Sequence, residues 1–282
     1  MDALGYYNGN WGPLDEMTVP MNDRGGYFGD GVYDAAIAYN GVIFTLDEHI
    51  DRFFNSAKLL QMELSYTKDH LKNVLNEMLG KLNKGGHIVY WQATRGTSRR
   101  NHVFPDGKPN LWIMIKPQEI VDLSRKVKLI TVEDTRFLHC NIKTINLIPN
   151  VIAAEKAKAA GCDEAIFHRG ETVTECSHSN VHIIKNGTFI THPLDNLILP
   201  GIARSHLAKT CVKLGIPVDE RDYTLAELFG ADEVLVSSTG IFCLPAETVD
   251  GKKAGGKAPE LVKKIQDYVM GEFCEATGYV KP

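Results

Sequence analysis

Glu175-Cys176-Ser177-His178-Ser179-Asn180-Val181-His182-Ile183-Ile184-Lys185-Asn186-Gly187-Thr188-Phe189-Ile190-Thr191 carries two apolar runs split by Asn186-Gly187. A two-residue turn of that kind needs positive φ at both centres, which Asn and Gly tolerate, so Val181 to Thr191 is predicted to be a β-hairpin. Downstream, helices are expected from about Ala203 to Leu214 and from Pro259 to Phe273. Upstream, Ile152 to Ala160 reads as an Ala-rich helix stopped by Gly161. Val127 to Glu133 reads as a largely buried strand.

The amino-terminal part mixes the two periods as well. Gly41-Val42-Ile43-Phe44 is a short apolar strand candidate, and Thr45-Leu46-Asp47-Glu48 has capping-box spacing. Ile50, Phe53, Phe54 and Ala57 then fall on one helical face. Leu71, Val74, Leu75, Met78, Leu79 and Leu82 form a second stripe, with Thr67 as its cap. His87–Thr94 and Leu111–Ile115 are strand-like, with Pro117 ending the second run. Strands and helices without strict alternation imply a mixed α/β (α+β) fold. A length of 282 residues exceeds one ordinary core, so two domains are expected, 1–120 and 121–282, with the boundary in Gln118 to Asp122.

Composition narrows the classes. The 31 basic and 35 acidic side chains give a net charge of −4, with no cationic field for nucleic acid or anionic lipid. No apolar run approaches the roughly 20 residues of a membrane helix. Met1 to Tyr6 lacks a basic stretch followed by an apolar core, so no signal peptide is expected. The six cysteines contain no C-x-x-C pair, which speaks against a zinc or dithiol site and for a reducing compartment. A cytoplasmic protein without a metal is the expectation.

Four clusters could carry chemistry. Thr94-Arg95-Gly96-Thr97-Ser98-Arg99-Arg100-Asn101-His102 gathers three arginines and a histidine, suited to a carboxylate or phosphate or simply a solvated basic loop. Leu199-Pro200-Gly201-Ile202-Ala203-Arg204 opens a helix, whose free amides attract anions. Val236-Ser237-Ser238-Thr239-Gly240 places hydroxyls after a strand, usable as a phosphate loop or a turn. Cys140-Asn141-Ile142-Lys143-Thr144 offers an amine that could equally be a surface lysine.

The order of Asn141-Ile142-Lys143-Thr144, Glu175 to Val181 and Leu199 to Arg204 resembles the fold-type IV pyridoxal phosphate enzymes, the family of D-amino acid and branched-chain aminotransferases. The likeness takes in Asn22-Asp23-Arg24-Gly25, Phe28-Gly29-Asp30-Gly31-Val32-Tyr33 and His49-Ile50-Asp51-Arg52, and so covers nearly the whole chain. Arg95-Gly96-Thr97-Ser98-Arg99-Arg100-Asn101-His102-Val103-Phe104-Pro105 is similar to the segment of the D-specific branch, whereas branched-chain enzymes generally lack the Arg-x-His pair.

That resemblance implies two lobes with pyridoxal 5′-phosphate between them, Lys143 lying in the 121–282 lobe. Lys143 matches the lysine that holds the cofactor as a Schiff base and later moves the proton between Cα and C4′. Glu175 matches the carboxylate that keeps the pyridine nitrogen protonated. Read without the resemblance, Glu175 would be a surface glutamate in a turn, and the bare sequence would not choose between a binding and a solvated role for Arg52. Arg52, the amides of Ile202 and Ala203, Ser238 and Thr239 match the phosphate site, and Leu199 a residue packed on one cofactor face. Arg100 and His102, with the Tyr33 hydroxyl, match a substrate α-carboxylate trap that works across a subunit boundary, which implies a homodimer. Arg136 matches an arginine near the cofactor edge. The activity implied is a ping-pong transamination between a D-amino acid and a 2-oxo acid, with D-alanine and 2-oxoglutarate as the expected pair. A branched-chain L-aminotransferase, an aminodeoxychorismate lyase or an inactive cofactor-binding homologue are the alternatives. The chain departs from the pattern in three places: Cys176 stands for a glycine, His178 for a serine, and Gly240-Ile241-Phe242 for Thr-Ser-Glu.

Overall fold

The computed structural model describes residues 3–281, so Met1, Asp2 and Pro282 lie outside the described residues. Its chain separates into two compact units. The first holds the residues through Ile120, Ile142–Asn146 and the stretch from Phe273 onward, and the second holds Val121–Asn141 and Leu147–Glu272.

In the first unit the strands are β1 (Leu4–Tyr7), β2 (Asn10–Pro13), β3 (Gly31–Tyr39), β4 (Val42–Ile43), β5 (Gly86–Thr94) and β6 (Asn110–Pro117). They form one antiparallel sheet in the order β2-β1-β6-β5-β3-β4. The helices are α1 (Arg24–Phe28), α2 (Leu46–Leu59) and α3 (Lys68–Leu79). Ile50 and Phe53 of α2, Leu71 and Leu75 of α3, and Val89, Trp91, Ile113 and Ile115 of the sheet are buried in one core, as the two apolar stripes require. The long β3–β5 ladder brings Gly31 so close to its neighbour that a Cβ there would collide with the Ala93 carbonyl oxygen.

The second unit contains β7 (Val127–Glu133), α4 (Ile148–Ala159), β8 (Glu164–Arg169), β9 (Thr172–Cys176), β10 (Asn180–Lys185), β11 (Thr188–Thr191), α5 (Ile202–Lys213), β12 (Val218–Glu220), α6 (Leu225–Phe229), β13 (Glu233–Ser237), β14 (Leu244–Val249), β15 (Lys252–Lys253) and α7 (Pro259–Thr277), which runs on past Phe273. Its sheet order is β12-β11-β10-β13-β14-β7-β8-β9, with β15 on β14. β14, β7 and β8 run parallel, and α4 makes the crossover from β7 to β8. The predicted hairpin is present: Asn186 and Gly187 take φ of 50° and 74° between β10 and β11.

Several expectations are corrected. Thr45 does precede α2 but takes φ of 51°, and its hydroxyl donates to the Phe44 carbonyl instead of accepting from the helix. A capping side chain reaches the first-turn amides from extended backbone, and the left-handed turn at Thr45 denies it that reach. The capping box forms at α6, between Thr224 and Glu227. β4 is only two residues long, and β7 buries Val127 and Leu129 while its other residues stay partly or fully exposed.

The sequence assigns Lys143 to residues 121–282, whereas Ile142–Asn146 groups with the first unit. The reason is backbone pairing. Tyr33 N–H donates to the Lys143 carbonyl (2.9 Å), Ile145 N–H donates to the Gly31 carbonyl (3.1 Å), and Val32 bridges Thr144.

Candidate active site

β3 and α2 assemble the first group. Side chains alternate along a strand, so Tyr33 and Asp34 leave β3 on opposite faces. Asp34 is fully buried and receives both Arg52 Nε (2.9 Å) and Arg52 Nη2 (2.7 Å), with His49 Nδ1 at 2.8 Å. His49 and Arg52 are three residues apart on α2 and share one face. Burial would raise the Asp34 pKa, but the cations of Arg52 and, when it is protonated, His49 hold it well below the ordinary carboxylate range. Burial pushes His49 down despite that carboxylate. Arg52 is therefore a buried, forked guanidinium and not the solvated side chain a capped surface helix would also allow.

Lys143 is half-buried and carries its ammonium 4.3 Å from the centre of the Tyr33 ring. Its amide donates to Ser56 Oγ on α2 (3.1 Å), which ties the segment to the helix bearing Arg52. Tyr33 in turn stacks on Tyr90 with ring centres 5.3 Å apart. Tyr33 and Lys143 are thus in contact, and the Lys143 segment is bonded to the helix that carries Arg52.

The second group is built on β9 and β10. Glu175 is only 6% exposed, so it is not the surface glutamate that an isolated reading of its turn allows. Its Oε2 accepts from Asn180 Nδ2 (3.0 Å) and from the Leu199 amide (3.0 Å), and its Oε1 accepts from Arg136 Nη1. Arg136 also grips Asp134 through Nε and Nη2 and lies 4.4 Å from the Phe167 ring centre. Burial works against the charge of Arg136, yet Glu175 and Asp134 hold its pKa above the usual arginine range.

Gly201 leads into α5, and a Cβ there would collide with Asn180 Oδ1, so the residue must be glycine for Asn180 to reach Glu175. The intrahelical bonds of α5 begin with Ser205 N–H to Gly201 carbonyl, leaving the amides of Ile202 and Ala203 in the open first turn. β13 pairs Ser237 with Asn180, which sets Ser238 and Thr239 beside the same strand end. Leu199 is half-buried.

Arg100 and His102 form a third group on the exposed loop after β5. The Arg100 guanidinium lies 5.1 Å and the His102 ring 5.2 Å from the Phe28 ring centre. Arg95 does not join them: it is buried, bonds Asp30 with Nε and donates to the carbonyls of Leu60 and Gln61. The cluster of three arginines is therefore two exposed cations and one structural one.

Residues 31–249 match the family model described as amino-transferase class IV. A D-alanine aminotransferase from Listeria monocytogenes is 42% identical over 271 residues, 94% of each chain. The chain belongs to the class IV amino-transferases. A T.th. branched-chain amino acid aminotransferase, solved with N-(5′-phosphopyridoxyl)-L-glutamate, superposes with a TM-score of 0.88 at 25% identity over 99% of this chain and 98% of that one. The branched-chain enzyme of Escherichia coli shares the fold with a TM-score of 0.89 at 22% identity, over 100% and 96% of the two chains.

In this class IV amino-transferase the departures find local reasons. Cys176 is buried and has no positive φ, so the glycine's special backbone is not required there. His178 projects outward and pairs with Glu164 (3.1 Å), whose carboxylate also takes the His178 amide and the hydroxyls of Ser177 and Ser179. Phe242 is buried, with φ of 51°. Asp34, His49, Asn180 and Asp134, the partners that fix Arg52, Glu175 and Arg136, carried no role in the sequence reading. His49 and Arg52 at helical spacing were the available signal.

Proposed function

We propose that this class IV amino-transferase moves amino groups between D-amino acids and 2-oxo acids on pyridoxal 5′-phosphate, with D-alanine and 2-oxoglutarate as its pair. The observation that carries the reading is the 42% identity to a D-alanine aminotransferase over 94% of both chains. The branched-chain structures, at 22–25% identity, are more distant. Arg100 and His102 on an exposed loop, with Val103 and Phe104 beside them, support a homodimer in which the trap serves a neighbouring subunit. A cytoplasmic location belongs to the same proposal.

The donor set fits the cofactor. A forked arginine, open helix-start amides and two hydroxyls suit a phosphate, and a buried carboxylate with both oxygens already oriented suits a ring nitrogen. Arg52, Ile202, Ala203, Ser238 and Thr239 would hold the phosphate, Glu175 the pyridine nitrogen, and Leu199 one ring face. When bound, pyridoxal phosphate supplies the electron sink for the pair left on Cα as its proton departs. Lys143 Nζ anchors the cofactor and carries that proton, with Tyr33 setting its approach. Arg136 pairs with Glu175 and fixes one of its oxygens, and Arg100 and His102 orient the substrate carboxylate.

A panel of D- and L-amino acids, followed through the cofactor absorbance of the purified protein, tests the reading. D-alanine should be turned over and L-leucine should not. The reverse pattern overturns the assignment of Arg100 and His102. Lys143→Ala should lose the visible absorption band along with turnover.

A further inference from the structure

The loop bearing Arg100 and His102 has no regular secondary structure, yet an ion-pair frame grips it from beneath. We infer that Arg24, Asp30 and Phe28 are positioning residues that hold Arg100 and His102 in register for a substrate carboxylate. The inference rests on the proposed role of that pair and adds the groups that place it.

Asp30 is the hub. Its Oδ2 accepts from Arg24 Nε (2.8 Å), and both its oxygens accept from Arg95 Nε (3.0 Å each). Arg24 is only 3% exposed, and its Nη1 reaches past the carboxylate to the main chain of the loop. There it donates to the carbonyls of Asn101 (2.6 Å) and Val103 (3.3 Å), which flank His102 on either side. Arg95 fixes the far end, with its guanidinium 3.8 Å from the centre of the Phe104 ring. The loop base is fastened to the same segment: the Arg24 amide donates to the Gly96 carbonyl, the Ser98 amide to the Asn22 carbonyl and the Arg95 amide to the Asp30 carbonyl.

Phe28 supplies the surface. Arg24 lies 4.8 Å from its ring centre, Arg100 5.1 Å, and the His102 ring 5.2 Å. One ring therefore packs against both trapping groups. A guanidinium is a bidentate clamp only when its fork faces the carboxylate, so a loop that drifts loses orientation while keeping its charge.

Steady-state kinetics on the purified holoenzyme tests this, with D-alanine as the amino donor. Arg24→Met and Asp30→Asn should raise KM on the order of 10- to 100-fold, with kcat within about twofold and the cofactor band intact. Arg24→Lys should not rescue, because a single nitrogen cannot replace both Nε at Asp30 and Nη1 at the loop carbonyls. In an Arg100→Met background the same substitutions should change KM by less than about threefold, since the group they place is gone. If either frame variant fails to fold, Phe28→Leu keeps the bulk and should show the same split. Unchanged KM with a retained cofactor band overturns the inference, as does a full-sized effect in the Arg100→Met background. A normal KM for Arg100→Met alone instead sinks the trap reading itself.

Discussion

At the scale of single residues, the site depends on charges whose partners are fixed in advance. Glu175 is the clearest: donors from Arg136, Asn180 and the Leu199 amide hold its oxygens, so in the proposed role its orientation would need no rearrangement. Glu175→Gln keeps the shape and removes the charge. It should lower kcat roughly 10- to 100-fold, the equivalent of losing a charge-assisted contact of about 1.5–3 kcal/mol, while KM for D-alanine changes little. Single-turnover rates with D-alanine check it, and an undiminished rate would show that the carboxylate does not serve the reacting ring. Lys143 and Glu175 could be proposed from the sequence because each belongs to a motif contiguous in it. Their supports could not. Asp34 lies 18 residues from Arg52, and Arg24 lies 77 from Asn101, so only the folded chain puts them in contact.

At the scale of elements, the long amphipathic helices and the Asn-Gly hairpin declared themselves, because a stripe or a turn is a local property. Short strands such as β1, β2, β8 and β14 went unread; their identity comes from partners far along the chain. Buried polar groups between strands follow the same logic. His182 on β10 is fully buried between Thr191 Oγ1 of β11 (2.9 Å) and Ser237 Oγ of β13 (2.8 Å). Burial, helped by the Arg204 cation, pushes its pKa down to about 3. Between that value and the ordinary histidine value of about 6.5, the unfolded chain binds the extra proton, so stability is present above pH 6.5 and falls as the pH drops toward 3. His182→Gln should therefore cost about 1–3 kcal/mol at pH 7 through its imperfect bonding, yet lose less than the parent between pH 6 and 4. Urea unfolding at those three pH values decides it; equal acid losses in both proteins would assign the sensitivity to other groups.

At the scale of the whole molecule, the 282-residue length announced more than one core but not that the first would be discontinuous in sequence. Composition does not change across Ile142–Asn146; that segment joins the first unit by backbone bonds to Gly31, Val32 and Tyr33, which no side-chain pattern encodes. A ligand that binds only the folded chain stabilises it by an amount that grows with the logarithm of its concentration over Kd, and pyridoxal phosphate should do so here. At a hundredfold excess over Kd the gain is about 2.7 kcal/mol. For a chain of this size, each kcal/mol moves the melting temperature by roughly 2–4 °C, so saturation should raise it by about 5–10 °C over the cofactor-free protein. If Lys143 is the proposed covalent anchor, Lys143→Ala removes it but leaves Arg52, Glu175 and the open amides of α5. Its melting temperature should still climb with added cofactor, at higher concentrations than the parent needs. Thermal melts across a cofactor titration separate the outcomes. A Lys143→Ala protein indifferent to pyridoxal phosphate would mean the noncovalent donors contribute nothing on their own, and an indifferent parent would remove the cofactor from the proposal.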